Sequence, residues 1–332
     1  MMPIMMNRCV FGLLGILIGL TSAPALAAEA PASAPASAPT TNVAFKRTKD
    51  IVYGRSYGAA LVMDVFRPTQ NANGAAVVVI VSGGWVSSHD VIDSPFFGAF
   101  SQPFLNRGYT VFTVCHACQP KFQIPEIVDN INRAVRFIRF HAKDYGIDAD
   151  RIGVTGGSAG GHLSLMQGIA PKSPKADAAD QIDRVSSKVQ AVGCYFPPTD
   201  FLNWGKEGLN VLDSPSMVPF IPAMDFTELD PKTHRFEHIT DKKRVEQMQK
   251  DISPAYFASI DDAPTLILHG DKDPLVPIQQ AELMIENLKK ANVPAELYVK
   301  VGASHGWPNI LPDMERIADW FDRYLAKPAE KK

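Results

Sequence analysis

The sequence is poor in the features that carry nucleic acid, metal or a membrane span. Lys and Arg number 33 against 35 Asp and Glu, for a formal net charge of −2, so the basic bias of a nucleic-acid binder is missing. No segment repeats at a period of tens of residues, which argues against a solenoid or propeller array. Cysteine is scarce, at 4 in 332 residues. Cys9 falls in the N-terminal apolar run, which leaves Cys115, Cys118 and Cys194. The pair in "CHAC" has no second pair to complete a four-ligand zinc site. It also lacks the helix start that lowers a thiol pKa in redox motifs. These thiols are expected to be buried or incidental, with a Cys115–Cys118 disulfide as the alternative in an oxidising compartment. Neither a metal nor an organic cofactor is expected. The glycine-rich stretch "TGGSAGG" follows five strand-like runs, too late in the chain for a dinucleotide fingerprint.

What is present starts at the N-terminus. A short segment with Arg8 precedes the apolar run "CVFGLLGILIGL", and "TSAPALA" ends in an Ala25-x-Ala27 cleavage pattern. The apolar run is too short to span a bilayer comfortably, and no cysteine marks a lipoprotein site. Residues 1–27 are therefore expected to be a signal peptide. The mature chain would be exported, periplasmic or extracellular, with no stable membrane anchor. Residues 28–42, rich in Pro, Ala and Ser, cannot bury apolar surface and are expected to form a disordered linker. Folded chain is expected over 43–328.

Within it, strand-like runs occur at "DIVYG", "LVMDVFRP", "AAVVVIVSG", "YTVFTVC", "RIGVTG", "VQAVGCYF", "APTLILHG" and "AELYVKV". Helical patterns separate most of them. One places Ile127, Ile131, Val135 and Ile138 on a single face and runs to Gly146, a natural cap. Continuous apolar strands imply burial on both faces, as in a parallel sheet covered by helices. The fold class is thus α/β, a mostly parallel central sheet of about eight strands flanked by helices, with right-handed crossovers. The first two runs, with no helix between them, should form an antiparallel edge. Residues 201–253 break the alternation and are expected to form a small cap insertion over a cleft.

The stretch "RIGVTGGSAGGHLSL" places Ser158 where a buried strand hands over to a helix, inside Gly156-Gly157-Ser158-Ala159-Gly160. A serine that must project above a sheet needs a sharp turn with small neighbours, and the helix N-terminus behind it favours developing negative charge. Its hydroxyl is inert at neutral pH without a histidine to take the proton and a carboxylate to hold that histidine. "HGDKDPLVP" offers Asp271 and Asp273 after one strand, and "GASHGW" offers His305 after the next. Asp271 follows the strand directly and suits a turn cap, so Asp273 is the expected acid. Serine, aspartate and histidine then come in the order of an α/β-hydrolase. His162 and His269 are read as structural. Backbone donors for an oxyanion are expected from Gly83, Gly84 and Trp85 in "SGGW" and from Ala159. Trp85, Trp204 and Phe220 are the aromatic candidates for substrate contact, with Phe226 also offered by the cap.

Together these residues resemble the acetyl esterase/lipase group of α/β-hydrolases. The resemblance is close to its hormone-sensitive-lipase-like, feruloyl- and acetylxylan-esterase-like and prolyl-oligopeptidase-like branches. It runs from about Asp50 to Leu325 and rests on "SGGW", "DADRIGVTGGSAGGHLSL", "HGDKDPLVP" and "GASHGW". It implies a serine esterase that works through an acyl-enzyme on a small-molecule or carbohydrate ester, acetylated or feruloylated carbohydrate among them. Where the group often has H-G-G-G-W, this chain has Val81-Ser82-Gly83-Gly84-Trp85, which leaves open which N–H groups serve and brings Trp85 in as a donor. "CHACQPKF" replaces an Asn-Tyr-Arg-like run and bears on substrate class. Two other readings use the same residues. A peptidase of this type would commonly carry a large additional domain, for which 201–253 is too short; a non-catalytic binding protein would not need the triad.

Overall fold

A computed structural model describes residues 43–327; the signal peptide expected over 1–27 and the linker over 28–42 lie outside them. The chain first forms a long hairpin, β1 (Phe45–Ser56) and β2 (Ala59–Pro68). Tyr57 and Gly58 close it, both at positive φ, the two-residue turn that matches strand twist. Next come β3 (Ala76–Val81), β4 (Thr110–Cys115), β5 (Ile152–Gly157) and β6 (Ala191–Tyr195). A short ribbon, β7 (Thr227–Leu229) and β8 (Phe236–His238), lies in the cap; β9 (Thr265–Gly270) and β10 (Ala295–Lys300) complete the sheet.

The eight-stranded sheet has the order β1-β2-β4-β3-β5-β6-β9-β10. β1 and β2 pair antiparallel, as does β2 with β4, and the remaining ladders are parallel. The expected antiparallel edge is therefore present. β3 is buried along its whole length. Alternate residues feed the two faces: Ala76, Val78 and Ile80 join one apolar cluster, and Val77, Val79 and Val81 the other. Each of the valine and isoleucine side chains contributes about 1.5–3 kcal/mol when fully buried.

The helices are α1 (His89–Ile92), α2 (Pro95–Asn106), α3 (Ile124–Phe140), α4 (Ala142–Tyr145), α5 (Ala159–Ile169), α6 (Lys242–Asp251), α7 (Gln279–Lys290) and α8 (Met314–Leu325). One face of the sheet is covered by α3, α5 and α7 through Ile127, Ile131, Leu163, Met284 and their neighbours. The other is covered by α2 and α8 through Phe97, Phe104, Ile317 and Phe321. The long helix expected to reach Gly146 is broken at His141. There ψ rises to 17°, and the imidazole lies 2.8 Å from Asp144. Gly146, at φ 67°, caps the short α4 instead. The turn lets Tyr145 meet Phe112 edge-on, with ring centroids 5.0 Å apart.

Between β6 and β9 the chain leaves the sheet, where the cap was expected. Pro215, Pro219 and Pro222 keep Pro215–Met224 in tight three-ten turns, since proline removes α-helical donors. The side chain of Gln123, at the N-cap of α3, fastens the root of the ribbon. It donates to the Asp225 carbonyl and Thr227 Oγ1, both at 2.8 Å, and accepts from the Thr227 N–H at 3.1 Å.

Candidate active site

Ser158 sits between β5 and α5 at φ 55°, ψ −119°. A non-glycine residue in this region stores about 1–3 kcal/mol and persists only where its surroundings over-determine it. They do so here through the backbone. The Ser158 N–H donates to the Tyr195 carbonyl at 3.0 Å, and its carbonyl accepts from His162 N–H at 2.9 Å to start the helix. The glycines allow close approach: a Cβ at Gly156 would lie 2.7 Å from the Gly160 carbonyl carbon and oxygen, and one at Gly161 2.7 Å from the Tyr195 oxygen.

Asp273 and His305 come from the loops after β9 and β10. Those loops are sewn together. A Cβ at Gly270 would stand 2.4 Å from the Ala303 oxygen, and Lys272 N–H donates to that same oxygen at 2.9 Å. Asp271 accepts from the Gly302 N–H and so caps the His305 loop, while Asp273 turns inward.

The three side chains form one hydrogen-bonded chain. Ser158 Oγ is 2.9 Å from His305 Nε2, and His305 Nδ1 is 2.7 Å from Asp273 Oδ2. The second oxygen of Asp273 accepts from the N–H groups of Leu275 and Val276, each at 2.9 Å. Burial pushes the Asp273 carboxyl up; hydrogen bonds from His269, His305 and Val276 outweigh it and hold the group well below the usual carboxylate range. An ionised Asp273 keeps the proton of a neutral His305 on Nδ1 and leaves Nε2 to accept from the serine hydroxyl.

Gly83, Gly84 and Trp85 lie in a tight turn. Gly83 N–H donates to the Val86 carbonyl at 2.9 Å and Val86 N–H returns the bond at 3.0 Å. Gly83, expected as an oxyanion donor, is therefore already spent. Gly84 and Trp85 occupy the two central positions at φ 57° and 60°. Among the described residues no acceptor pairs with their N–H groups or with that of Ala159 at the start of α5. Gln119 holds the turn from behind, its side chain donating to the Gly84 carbonyl and its N–H to that of Trp85, each at 3.2 Å.

The aromatic candidates divide. Trp85 and Trp204 are each only 2% exposed, so both rings lie in the interior rather than on an open face. Trp204 stacks on Phe201 with ring planes 15° apart, and Phe226 is buried as well; these rings pack the cap onto the sheet end. Phe220 is half-buried and lies against the turn, its ring edge 2.5 Å from where a Cβ on Gly84 would sit. Two residues not singled out as site candidates touch the site. Phe196, at φ 36°, lays its ring 4.4 Å from that of His305. His269 Nε2 is 2.9 Å from the Val276 carbonyl and 3.3 Å from Asp273 Oδ2. No sequence signal marks Phe196; His269 stands out only as a buried strand-end histidine.

Asp50 in β1, Asp64 in β2 and His89 at the start of α1 bring three potential metal-ligating atoms together. Asp64, though, accepts from His89 at 2.9 Å, Asp50 N–H at 3.0 Å and Arg47 Nε at 2.7 Å. The buried Asp64 carboxylate is thus taken up by an ion-pair network, while the Asp50 side chain stands exposed at the surface. Cys115, Cys118 and Cys194 are free thiols, so the alternative of a Cys115–Cys118 disulfide is not realised. Burial pushes the Cys115 thiol up to about 11.

A mostly parallel eight-stranded sheet, a Ser-Asp-His order and three post-strand loops define an α/β-hydrolase fold. The chain belongs to the BD-FAE family, whose profile matches residues 63–288; residues 249–331 also match the dienelactone hydrolase family. Among curated proteins it is 27% identical over 261 residues to the probable carboxylic ester hydrolase LipM of Mycobacterium tuberculosis. That alignment covers 76% of this chain and 54% of LipM. Esterase LipQ of the same organism is 26% identical, with 78% and 56% covered. The chain thus spans little more than half the length of these relatives. A truncated carbohydrate esterase from gut microbiota superposes with TM-score 0.69 at 22% identity, over 87% of this chain and 99% of that one. Native esterase 2 of Thermogutta terrifontis gives TM-score 0.61 at 23% identity, over 88% and 96%.

Proposed function

We propose that this protein is a serine esterase that hydrolyses carboxylic esters through an acyl-enzyme. The carrying observation is the chain from Ser158 Oγ through His305 to Asp273, at 2.9 and 2.7 Å. Ser158 attacks the ester carbonyl as its proton passes to His305 Nε2. The carbonyl oxygen, now negative, is met by the unpaired N–H groups of Ala159, Gly84 and Trp85, assisted by the dipole of α5. Collapse expels the alcohol, which takes the proton from His305. Water then repeats the sequence on the acyl group and frees Ser158. Asp273 stays ionised throughout and stabilises the imidazolium. The likeness to LipM and LipQ supports ester over other acyl substrates.

We assign as substrates small esters, acetylated or feruloylated carbohydrate among them, entering beneath the cap beside Phe220. Ser158→Ala should lower hydrolysis of a p-nitrophenyl ester by about 10⁴-fold or more; a variant as active as the parent overturns the assignment. We also propose export, on the strength of the N-terminal apolar run and the Ala25-x-Ala27 pattern. N-terminal sequencing of exported protein should begin at Ala28, and an uncleaved cytoplasmic chain would refute it.

A further inference from the structure

One buried titratable group lies on the helix of the nucleophile without a part in this chemistry. His162 stands one turn beyond Ser158 in α5 and has no exposed surface. Burial lowers its pKa to about 4, so the ring is neutral, with one donor and one acceptor nitrogen. Both are used. Nε2 is 2.7 Å from the Ile252 carbonyl, which can only accept, so Nε2 carries the proton. Nδ1 is 3.2 Å from the Trp85 indole nitrogen, which can only donate.

The partners come from three parts of the fold. Trp85 is in the oxyanion turn, His162 on the nucleophile helix, and Ile252 at the C-cap of α6 where the cap returns. Phe201, where the cap departs, packs against both rings, with centroids 5.3 Å from His162 and 5.9 Å from Trp85. Its N–H donates to Ser253 Oγ at 3.0 Å. Both ends of the cap therefore meet at this imidazole.

We propose that His162 is a positioning residue, tying the two ends of the cap to the oxyanion turn through the Trp85 indole and so fixing the Trp85 backbone N–H relative to Ser158. The inference rests on the esterase reading above. Trp85 is held at φ 60°, a conformation that a large side chain keeps only under restraint. Gln119 restrains the turn from behind, and the Gly83–Val86 pair closes it. The indole bond is the restraint that reaches the helix bearing Ser158. Filling space alone would not need a histidine: an apolar residue fills the volume without the cost of burying two nitrogens. A fully satisfied buried polar group instead selects one geometry.

The test is p-nitrophenyl acetate hydrolysis by His162→Leu, His162→Gln, Trp85→Phe and the Leu/Phe double variant. A donor displaced by about 1 Å costs on the order of 10²-fold, so His162→Leu should lower kcat by about 10- to 100-fold with KM changed less than about threefold. His162→Gln, which keeps an acceptor and a donor, should recover most of the loss. Trp85→Phe removes the indole N–H and should fall as far as His162→Leu, with no further fall in the double variant. Full activity in His162→Leu, or losses that multiply, would overturn the proposal. Because these variants strand a buried partner and can lose stability, a second readout is the indole N–H resonance of Trp85 in ¹⁵N-labelled protein. It should move in His162→Leu and return towards the parent position in His162→Gln; an unmoved resonance also overturns the tie. Parent protein that hydrolyses no ester would sink the esterase reading instead, and the indole resonance would then decide the tie by itself.

Discussion

At the sheet end, Ser158, Asp273 and His305 each follow closely on a strand held in a parallel ladder. The cap between β6 and β9 is instead made of three-ten turns, a three-residue ribbon and one ten-residue helix. The first region takes its geometry from backbone hydrogen bonds that run through the whole sheet. The second is attached by side chains: Gln123 at the ribbon, the His162 imidazole at the Ile252 carbonyl, the Phe201 ring against His162 and Trp85, and Phe220 over the Gly84 turn. A ladder resists displacement cooperatively, whereas side-chain attachments give way one at a time. Changes at the sheet end should therefore abolish turnover, and changes in the cap should redirect it.

The contrast can be broken or sharpened by substitution. Asp273→Asn should have the largest effect after Ser158→Ala. An amide no longer enforces the Nδ1–H tautomer of His305, so kcat should fall about 10³- to 10⁴-fold without loss of fold. The same carboxylate carries a pH signature. Its folded pKa is depressed, so its stabilising contribution is present above the unfolded value of about 3.9 and is lost as pH falls through the folded value. The unfolding free-energy difference between the parent and Asp273→Asn should be constant above about pH 5 and shrink steadily as the pH falls below about 4 towards the depressed folded value. A difference that stays flat would remove Asp273 from the ionised role.

Gly84→Ala should come next, with kcat/KM down about 10- to 100-fold. The position requires φ 57°, and the new methyl would fall 2.5 Å from the Phe220 ring. Adding Phe220→Ala removes the collision but not the backbone strain, so only part of the activity should return. Full recovery would mean that the cap, not the turn, sets the geometry of the donors.

Phe220→Ala alone should have the smallest effect. The ratio of kcat/KM for p-nitrophenyl butyrate to that for the acetate should rise about 3- to 10-fold, with the acetate rate itself nearly unchanged. If the acetate rate falls as steeply as in Gly84→Ala, the division between a catalytic floor and a selective cap fails.

Much of the sheet end is legible in the sequence. Continuous apolar runs announced β3 and β9, and glycines around Ser158 announced a turn where helix and strand approach. Asp273 and His305 were legible because each stands in a loop directly after such a run. The donor turn was harder. "SGGW" marks a tight turn, yet nothing local says that Gly83 spends its N–H on Val86. The aromatic candidates misled for a related reason: burial belongs to the packed assembly, and Trp85 and Trp204 are interior. The break at His141 is hidden because the apolar period runs on towards Gly146, and the turn carries Tyr145 onto Phe112, a residue remote in the chain.

The sequence by itself determined the order of strands, the turn at Ser158 and the loops that carry Asp273 and His305. Those features depend on short-range sterics and on the two-residue and 3.6-residue periods of apolar side chains. Only the tertiary structure decided which N–H groups stay unpaired, which aromatic rings are interior, and that the His162 imidazole joins the Trp85 indole to the Ile252 carbonyl. Each of these is a pairing between residues far apart in the chain, and no local pattern records which distant partner satisfies a buried polar group.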